Sequence, residues 1–421
     1  MRKFLTTLKA KESKQILTLL SGSSIGQIIP LVAAPVLTRI YSPENYGELG
    51  LVMAIVSIFS VIATLRYEEA IMLPVEDCDA KNLLIASFIL CFLTSSTFLI
   101  ISSLVPGWIS DVFDFPKFQE WVMIIALMIF LSGLFNSLLV WTNRNKRYGR
   151  LAIRSIEQST IGVGSKIILG HSILMSSGLV LGTLVSSLFS TISLLLKTIQ
   201  DDKKKISSCI KLTKIKKLLL KYQDFPKYNL LHSFIDVINA SSVLLIISNS
   251  YGLRAVGLYS FAMGILKKPT RLIAQSLSQV YYQKLAEMNA NSVSIYRDVS
   301  KVFRLSFSVG LIIFVPLYLV SPDLFTYVFG EEWRSAGKVC RVVIPFLFLQ
   351  FLITPLASVP IIMKEQKKWM LLTLILNTII PMILLIGSLS DMGFYQSLFV
   401  ASIVAMLYQI MLLKWIMNIV K

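Results

Sequence analysis

Lys166 stands about midway along an apolar stretch, 153–174, that also carries Glu157 and His171. A lysine at such a place holds an anionic headgroup in a wet cavity, or serves as one end of a structural ion pair. Glu157 lies nine residues earlier, about 180° round a helix, so the two cannot meet. Arg154, three residues before Glu157, can reach it. In a second apolar stretch, 229–249, His232, Asp236 and Asn239 recur at i, i+4 and i+7 and form one polar stripe. A carboxylate buried there has a raised pKa and can carry a coupling proton, which makes Asp236, His232 and Glu157 the ion-coupling candidates. The same stripe can equally join helices by hydrogen bonds. Two neighbouring ligands without a third do not make a metal site, so no metal is expected. Arg39 and the Arg66-Tyr67-Glu68-Glu69 run stand at the ends of apolar stretches, where interfacial anchoring is the simplest role. Gly162-Val-Gly164-Ser-Lys166 has neither the spacing nor the preceding strand of a phosphate loop, and no protease, kinase or nucleophile-elbow motif is present.

The elements that must position these residues are membrane helices. The 421 residues are 55% hydrophobic and 15% charged, where a soluble chain has roughly a quarter charged. Apolar runs of about 20 residues, long enough to span a bilayer, lie near 15–38, 47–65, 82–105, 121–141, 153–174, 178–196, 229–249, 255–275, 301–320, 336–360, 369–388 and 394–413. The expected fold is therefore an all-α polytopic membrane protein of about twelve helices. The first run is too long for a signal-peptide core and follows a basic N-terminus, Arg2, Lys3, Lys9, Lys11 and Lys14. With both termini in the cytoplasm, alternate segments (1–14, 66–81, 142–154, 197–228, 267–304, 361–368 and 414–421) hold 34 of the 41 Lys and Arg. The opposite side holds six: Arg39, Lys117, Arg254, Arg334, Lys338 and Arg341. This asymmetry explains the net charge of +18 through cytoplasmic loops, without a nucleic-acid partner.

The chain also repeats itself. Tyr41-Ser-Pro-Glu-Asn-Tyr-Gly47 and Tyr251-Gly-Leu-Arg-Ala-Val-Gly257 share the tyrosine and glycine at an offset of 210 residues, which Met53/Met263 and Pro106/Pro316 continue. The division is an N-terminal six-helix lobe, 1–200, a basic cytoplasmic linker, 201–228, and a C-terminal six-helix lobe, 229–421, around a central cavity. In the linker, Ile215, Leu218, Leu219 and Tyr222 fall on one side with Lys214, Lys217 and Lys221 beside them, as for a helix lying on anionic headgroups. Residues 276–300 form a second amphipathic extension. Gly22-x-x-x-Gly26 permits close helix packing. Pro30, Pro35, Pro316, Pro345, Pro355 and Pro381 lie inside helices as bending points. Cys78, Cys91, Cys209 and Cys340 are scattered and read as unpaired thiols.

Three segments carry a family resemblance. Pro35-Val-Leu-Thr-Arg39-Ile-Tyr41-Ser-Pro43-Glu-Asn-Tyr46-Gly47 resembles the first loop of Wzx-type O-antigen flippases. Arg66-Tyr-Glu68-Glu-Ala-Ile-Met-Leu-Pro74 and Trp141-Thr-Asn-Arg144-Asn-Lys146 resemble their segments after the second and fourth helices. These are the polysaccharide-transporter branch of the multidrug/oligosaccharidyl-lipid/polysaccharide exporter superfamily. The C-terminal half matches only in layout. The resemblance implies a bacterial inner-membrane flippase, not an enzyme, that moves an undecaprenyl-pyrophosphate-linked oligosaccharide from the cytoplasmic to the periplasmic leaflet. Its partners would be that substrate, membrane lipids and other polysaccharide assembly proteins. No cofactor is implied beyond an ion gradient, H+ or Na+. Arg66 and Glu68 match a family position where charge matters; with Lys166 and Arg39, which rest on the physical argument, they are the substrate-binding candidates. A drug exporter of the same superfamily should favour carboxylates over cations in its cavity. A glycan polymerase should carry a long outer loop, whereas the outer loops here are short.

Overall fold

A computed structural model describes residues 10–420 except 106, 108–109, 111–114, 116, 207–209 and 291–293. Arg2, Lys3, Lys9, Pro106 and Cys209 lie outside the described residues. The described residues are helical, with no strand among them. The chain runs α1 (Ala10–Ile40), α2 (Pro43–Ala63), α3 (Tyr67–Ala70), α4 (Asp77–Leu104), α5 (Phe118–Arg144), α6 (Tyr148–Gly170) and α7 (Gly178–Ile206). It continues through α8 (Leu212–Lys221), α9 (Leu230–Ala290), α10 (Tyr296–Phe329), α11 (Arg334–Ile353), α12 (Val359–Ile362), α13 (Gln366–Leu389) and α14 (Phe394–Asn418).

Ten described segments are long and apolar enough to cross a membrane. Two features separate this number from the twelve runs of the sequence. Helix α6 carries Arg154, Glu157 and Lys166 and is absent from the ten. The runs at 229–249 and 255–275 are one element, α9, broken at Gly252, whose φ of 81° and ψ of 170° are non-helical. Large apolar side chains such as Val32, Met123 and Ile312 project outward from these helices. Lipid, rather than water, is the solvent such a surface requires.

The chain forms two compact units. One comprises Lys11–Tyr41 with Glu48–Asn249, and the other Ser42–Gly47 with Ser250–Lys421. In the first, Gly22 and Gly26 lie against Ala152 and Ser155 of α6, and Ser159 Oγ donates to the Gly26 carbonyl at 2.6 Å. Small residues bring the two backbones together, which is the main source of helix cohesion in lipid. Helices α6 and α7 meet in the same way: Ser186 Oγ donates to Gln158 O (2.7 Å) and Ser165 Oγ to Gly182 O (3.1 Å). In the second unit, Val299 and Val302 of α10, Leu356, and Leu412 and Ile416 of α14 close one apolar core. The segment after 276 is an extension of the preceding helix. It continues α9 to Ala290 and delivers Leu285 to that core. Pro355 lies in a short 3-10 turn, Thr354–Leu356, rather than inside a helix.

The linker helix α8 turns its apolar side to protein instead of lipid. Ile215 and Leu218 are buried, and Leu218 joins a core with Tyr67, Ala70, Ile71, Leu84 and Trp141. Lys211 N donates to Asn82 Oδ1 (3.2 Å), and Lys214 pairs with Asp79 (3.5 Å). The apolar notch between α3 and α4 claims the face that sequence assigned to headgroups, while Lys216, Lys217 and Lys221 stay exposed. Cys91 and Cys340 are free and buried, but Cys78, at the start of α4, is disulfide-bonded and so is not the unpaired thiol that its isolation in sequence implied.

The repeat reappears as geometry. Tyr41 OH donates to Lys166 O at 2.6 Å and packs against Gly170 and Gly178, at the junction of α6 and α7. Tyr251 OH donates to Ser397 Oγ at 2.7 Å, and Ser397 packs on Gly387, where α13 and α14 meet. Each tyrosine clamps the last helix pair of its own half.

Candidate functional site

The charged turn after α2 gathers several polar side chains of the first unit. Leu65 and Arg66 both take left-handed backbone angles, φ 51° and 64°. For side chains with a Cβ this costs about 1–2 kcal/mol per residue. Such strain persists where surrounding contacts over-determine it, often at working sites. Here it aims the Arg66 guanidinium between Glu68 (3.5 Å) and Glu69 (3.4 Å). The same guanidinium donates to Ser233 Oγ near the start of α9, through Nε at 3.0 Å and also through Nη2. Asn229 Nδ2 donates to Glu69 (3.0 Å), and Tyr67 OH donates to the Leu219 carbonyl of the linker helix (2.8 Å). The turn thus ties the ends of three segments, α2, α8 and α9, through one arginine and its neighbours.

Glu68 is only 5% exposed and accepts a hydrogen bond from Thr64 Oγ1. Burial raises its pKa above the ordinary 4.5, although Thr64 and Arg66 favour the charged form. The folded protein therefore binds this proton more tightly than the unfolded chain does. Stability contributed by the protonated form is fully present below the unfolded value and is lost as pH rises through the folded one. Thermal unfolding of the detergent-purified protein, measured at steps upward from pH 4.5, should show wild type losing ground to Glu68→Gln. Parallel curves would sink this assignment.

The other sequence candidates are dispersed. Lys166 is half-buried on α6, its aliphatic stem seated where Gly182 of α7 leaves room and its carbonyl held by Tyr41. Arg39 is exposed at the end of α1. His232 and Asp236 pair at 3.4 Å, as their i, i+4 spacing requires, but their side chains are 65% and 53% exposed. Asp236 is about half-exposed on the protein, whereas Glu68 and Glu48 of this unit are buried. Glu157 pairs with Lys197 of α7 at 3.8 Å, and its charge also acts on Arg154. Arg154 is buried, donates to Ser190 and lies over the Phe135 ring at 4.7 Å. The structure thus brings Arg66 together with Glu68, and His232 with Asp236.

Sequence reasoning did not single out Ser233, Asn229, Thr64 or Glu48. Glu48 is buried, accepts from Trp121 Nε1 at 2.8 Å and lies 3.7 Å from Lys117. A glutamate one residue after the repeat glycine offered a faint signal; the three neutral residues offered none. Among the described residues no group of three or more His, Cys, Asp and Glu could hold a metal ion.

Ten described helices long and apolar enough to span a bilayer, with apolar side chains projecting from them, define a multi-pass membrane protein. The chain belongs to the polysaccharide biosynthesis protein family, which residues 36–338 match. Among solved structures it is similar to the lipid II flippase MurJ in an inward closed conformation. The TM-score is 0.70 at 16% identity, covering 94% of this chain and 87% of that one. It is also similar to a multidrug resistance MATE family transporter of the MOP superfamily, inward-facing, at TM-score 0.60 and 16% identity, with 95% of each chain covered. An outward-facing MATE transporter gives 0.52 at 14% identity, covering 97% and 96%. No curated protein matches. The chain shares its fold with these solved membrane proteins.

Proposed function

We propose that the protein is a flippase for undecaprenyl-pyrophosphate-linked oligosaccharide, an O-antigen or related repeat unit, carried from the cytoplasmic to the periplasmic leaflet of a bacterial inner membrane. The observation that carries this reading is the family match across residues 36–338, joined to a fold shared with a lipid II flippase. A pyrophosphate and its sugars cannot enter hydrocarbon unaided, so a polar path must replace their water while the prenyl tail stays in lipid. Lys166, Arg39 and Arg66 are the cations we assign to the pyrophosphate. Arg66 suits the task because its fork matches phosphate oxygens and its present partners can be exchanged. Coupling to an H+ or Na+ gradient would work through carboxylates that change charge during the cycle, and we extend that role from Asp236, His232 and Glu157 to Glu68. No catalytic step is assigned.

The test is deletion of the gene in its native host, followed by assay of surface polysaccharide and lipid-linked precursors. Complete repeat units should accumulate on the cytoplasmic leaflet, and the intact gene should restore surface polymer. Single units that reach the periplasmic leaflet unpolymerised would reassign the protein to polymerisation. Intact polysaccharide with altered drug sensitivity would favour the multidrug exporters that share the fold.

A further inference from the structure

One end of the α13–α14 pair gathers cations that no carboxylate answers. Lys364, in the turn that joins α12 to α13, is exposed, as are Lys367 and Lys368 in the first turn of α13 and Lys414 near the end of α14. Elsewhere lysines such as Lys117, Lys197 and Lys214 lie within ion-pair distance of a carboxylate. Among the described residues no carboxylate pairs with any of these four, the adjacent Glu365 included. Lys364 also takes a left-handed backbone, φ 61°. Glycine would sit there without strain, so the chain accepts strain to place a lysine.

Beside the lysines lies an aromatic floor. Trp369 and Trp415 stack at 6.5 Å with their planes 12° apart, and Lys368 Nζ stands 5.4 Å from the centre of the Trp415 ring. Both rings pack against the apolar core of this unit, which fixes them in place. Neither indole N–H has an acceptor among the described residues. Tryptophans of this kind sit at headgroup depth, the ring in the apolar layer and the N–H toward polar groups.

Further along α13 the same side becomes apolar. Lys367, Leu371 and Leu374 recur at i, i+4 and i+7, and Lys368, Leu371 and Ile375 at i, i+3 and i+7, so the cations and these side chains share one face. Leu371, Leu374 and Ile375 are all exposed. Cations at one end and open apolar surface below them match the two ends of an anionic phospholipid. The Lys and Arg asymmetry assigns this end of the helices to the cytoplasmic side. Every residue of the arrangement belongs to the unit that contains Ser250–Lys421.

We propose that Lys364, Lys367 and Lys368, with the Trp369–Trp415 stack, form a site for one anionic phospholipid of the cytoplasmic leaflet. The lysines hold its phosphate, the indole N–H groups donate to its headgroup oxygens, and its acyl chains lie along Leu371, Leu374 and Ile375. A zwitterionic lipid brings its own cation to the lysines and is disfavoured. The site does not depend on what the protein transports.

The experiment uses the full-length protein in phosphatidylcholine vesicles. Equal traces of phosphatidylglycerol and phosphatidylcholine probes are added, each with a photoreactive diazirine near the head of one acyl chain, and adducts are mapped by peptide mass spectrometry. On residues 366–375 and 412–418, phosphatidylglycerol adducts should exceed phosphatidylcholine adducts about ten-fold or more, since each lysine near the surface favours an anionic lipid roughly five-fold. The triple variant Lys364→Gln, Lys367→Gln and Lys368→Gln should bring the two probes to parity. Lys216→Gln with Lys217→Gln, which removes charge from α8 instead, should leave the preference intact. Parity in the wild-type protein would overturn the site, and that comparison needs no variant to fold. An equal loss in the α8 variant would reduce the preference to diffuse charge. Loss of phosphatidylglycerol adducts when an equal amount of undecaprenyl pyrophosphate is added would assign the site to that lipid and also overturn the proposal.

Discussion

Arg66→Ala should lower flipping of a pyrophosphate-linked oligosaccharide about 10- to 100-fold, the loss expected when charge-assisted hydrogen bonds contributing roughly 1.5–3 kcal/mol disappear. Arg66→Lys should recover part of it, since a lysine keeps the charge and loses the planar fork. The difficulty is that Arg66 already faces Glu68 and Glu69, so its removal also leaves two carboxylates facing each other. A double-mutant cycle separates the two effects. If Arg66 serves only to neutralise Glu68, then in a Glu68→Gln background Arg66→Ala should cost little more. If the guanidinium holds the pyrophosphate, the loss persists in that background. Initial flipping rates in proteoliposomes, normalised to folded protein, give the answer, and near-additive losses are the result we expect.

Gly26→Leu should cost about 3 kcal/mol or more, at the upper end of what overpacking does. A side chain there runs into the Ser155 main chain, and neither helix can yield without also breaking the Ser159–Gly26 hydrogen bond. Gly22→Leu meets the Ala152 backbone one turn earlier and should act alike. The measurement is the yield of monodisperse protein after detergent extraction, with its thermal midpoint. As a control, leucine at Gly164, which meets nothing within 4 Å, should be tolerated. Equal behaviour of Gly26→Leu and Gly164→Leu would refute the packing argument.

What could be read without a structure followed from local constraints. Span positions were legible because twenty apolar residues have few other places to go. The Gly22/Gly26 pair was legible because small residues four apart can only bring helices close. The repeat tyrosines and glycines were visible as a pattern, but not their division of labour, in which each tyrosine holds its own half and the glycines meet each other. Helix α8 was recognised and faced the wrong way, since amphipathicity tells that one side is apolar and not what covers it. The Arg66–Ser233 contact spans 167 positions in sequence, and nothing local announces it.

Glu44 and Arg254, separated by the repeat offset of 210 residues, form an ion pair at 2.6 Å, and this pairing dates itself. In a contact between equivalent positions of two identical halves, each residue meets its own copy, and a glutamate would confront a glutamate. Opposite charges at the two positions require that the halves had already begun to differ. The tyrosine clamps carry no such requirement, since each works inside its own half and a half-length ancestor could have owned one. The clamps can therefore be as old as the unduplicated gene, whereas the ion pair arose only after two copies were free to drift apart.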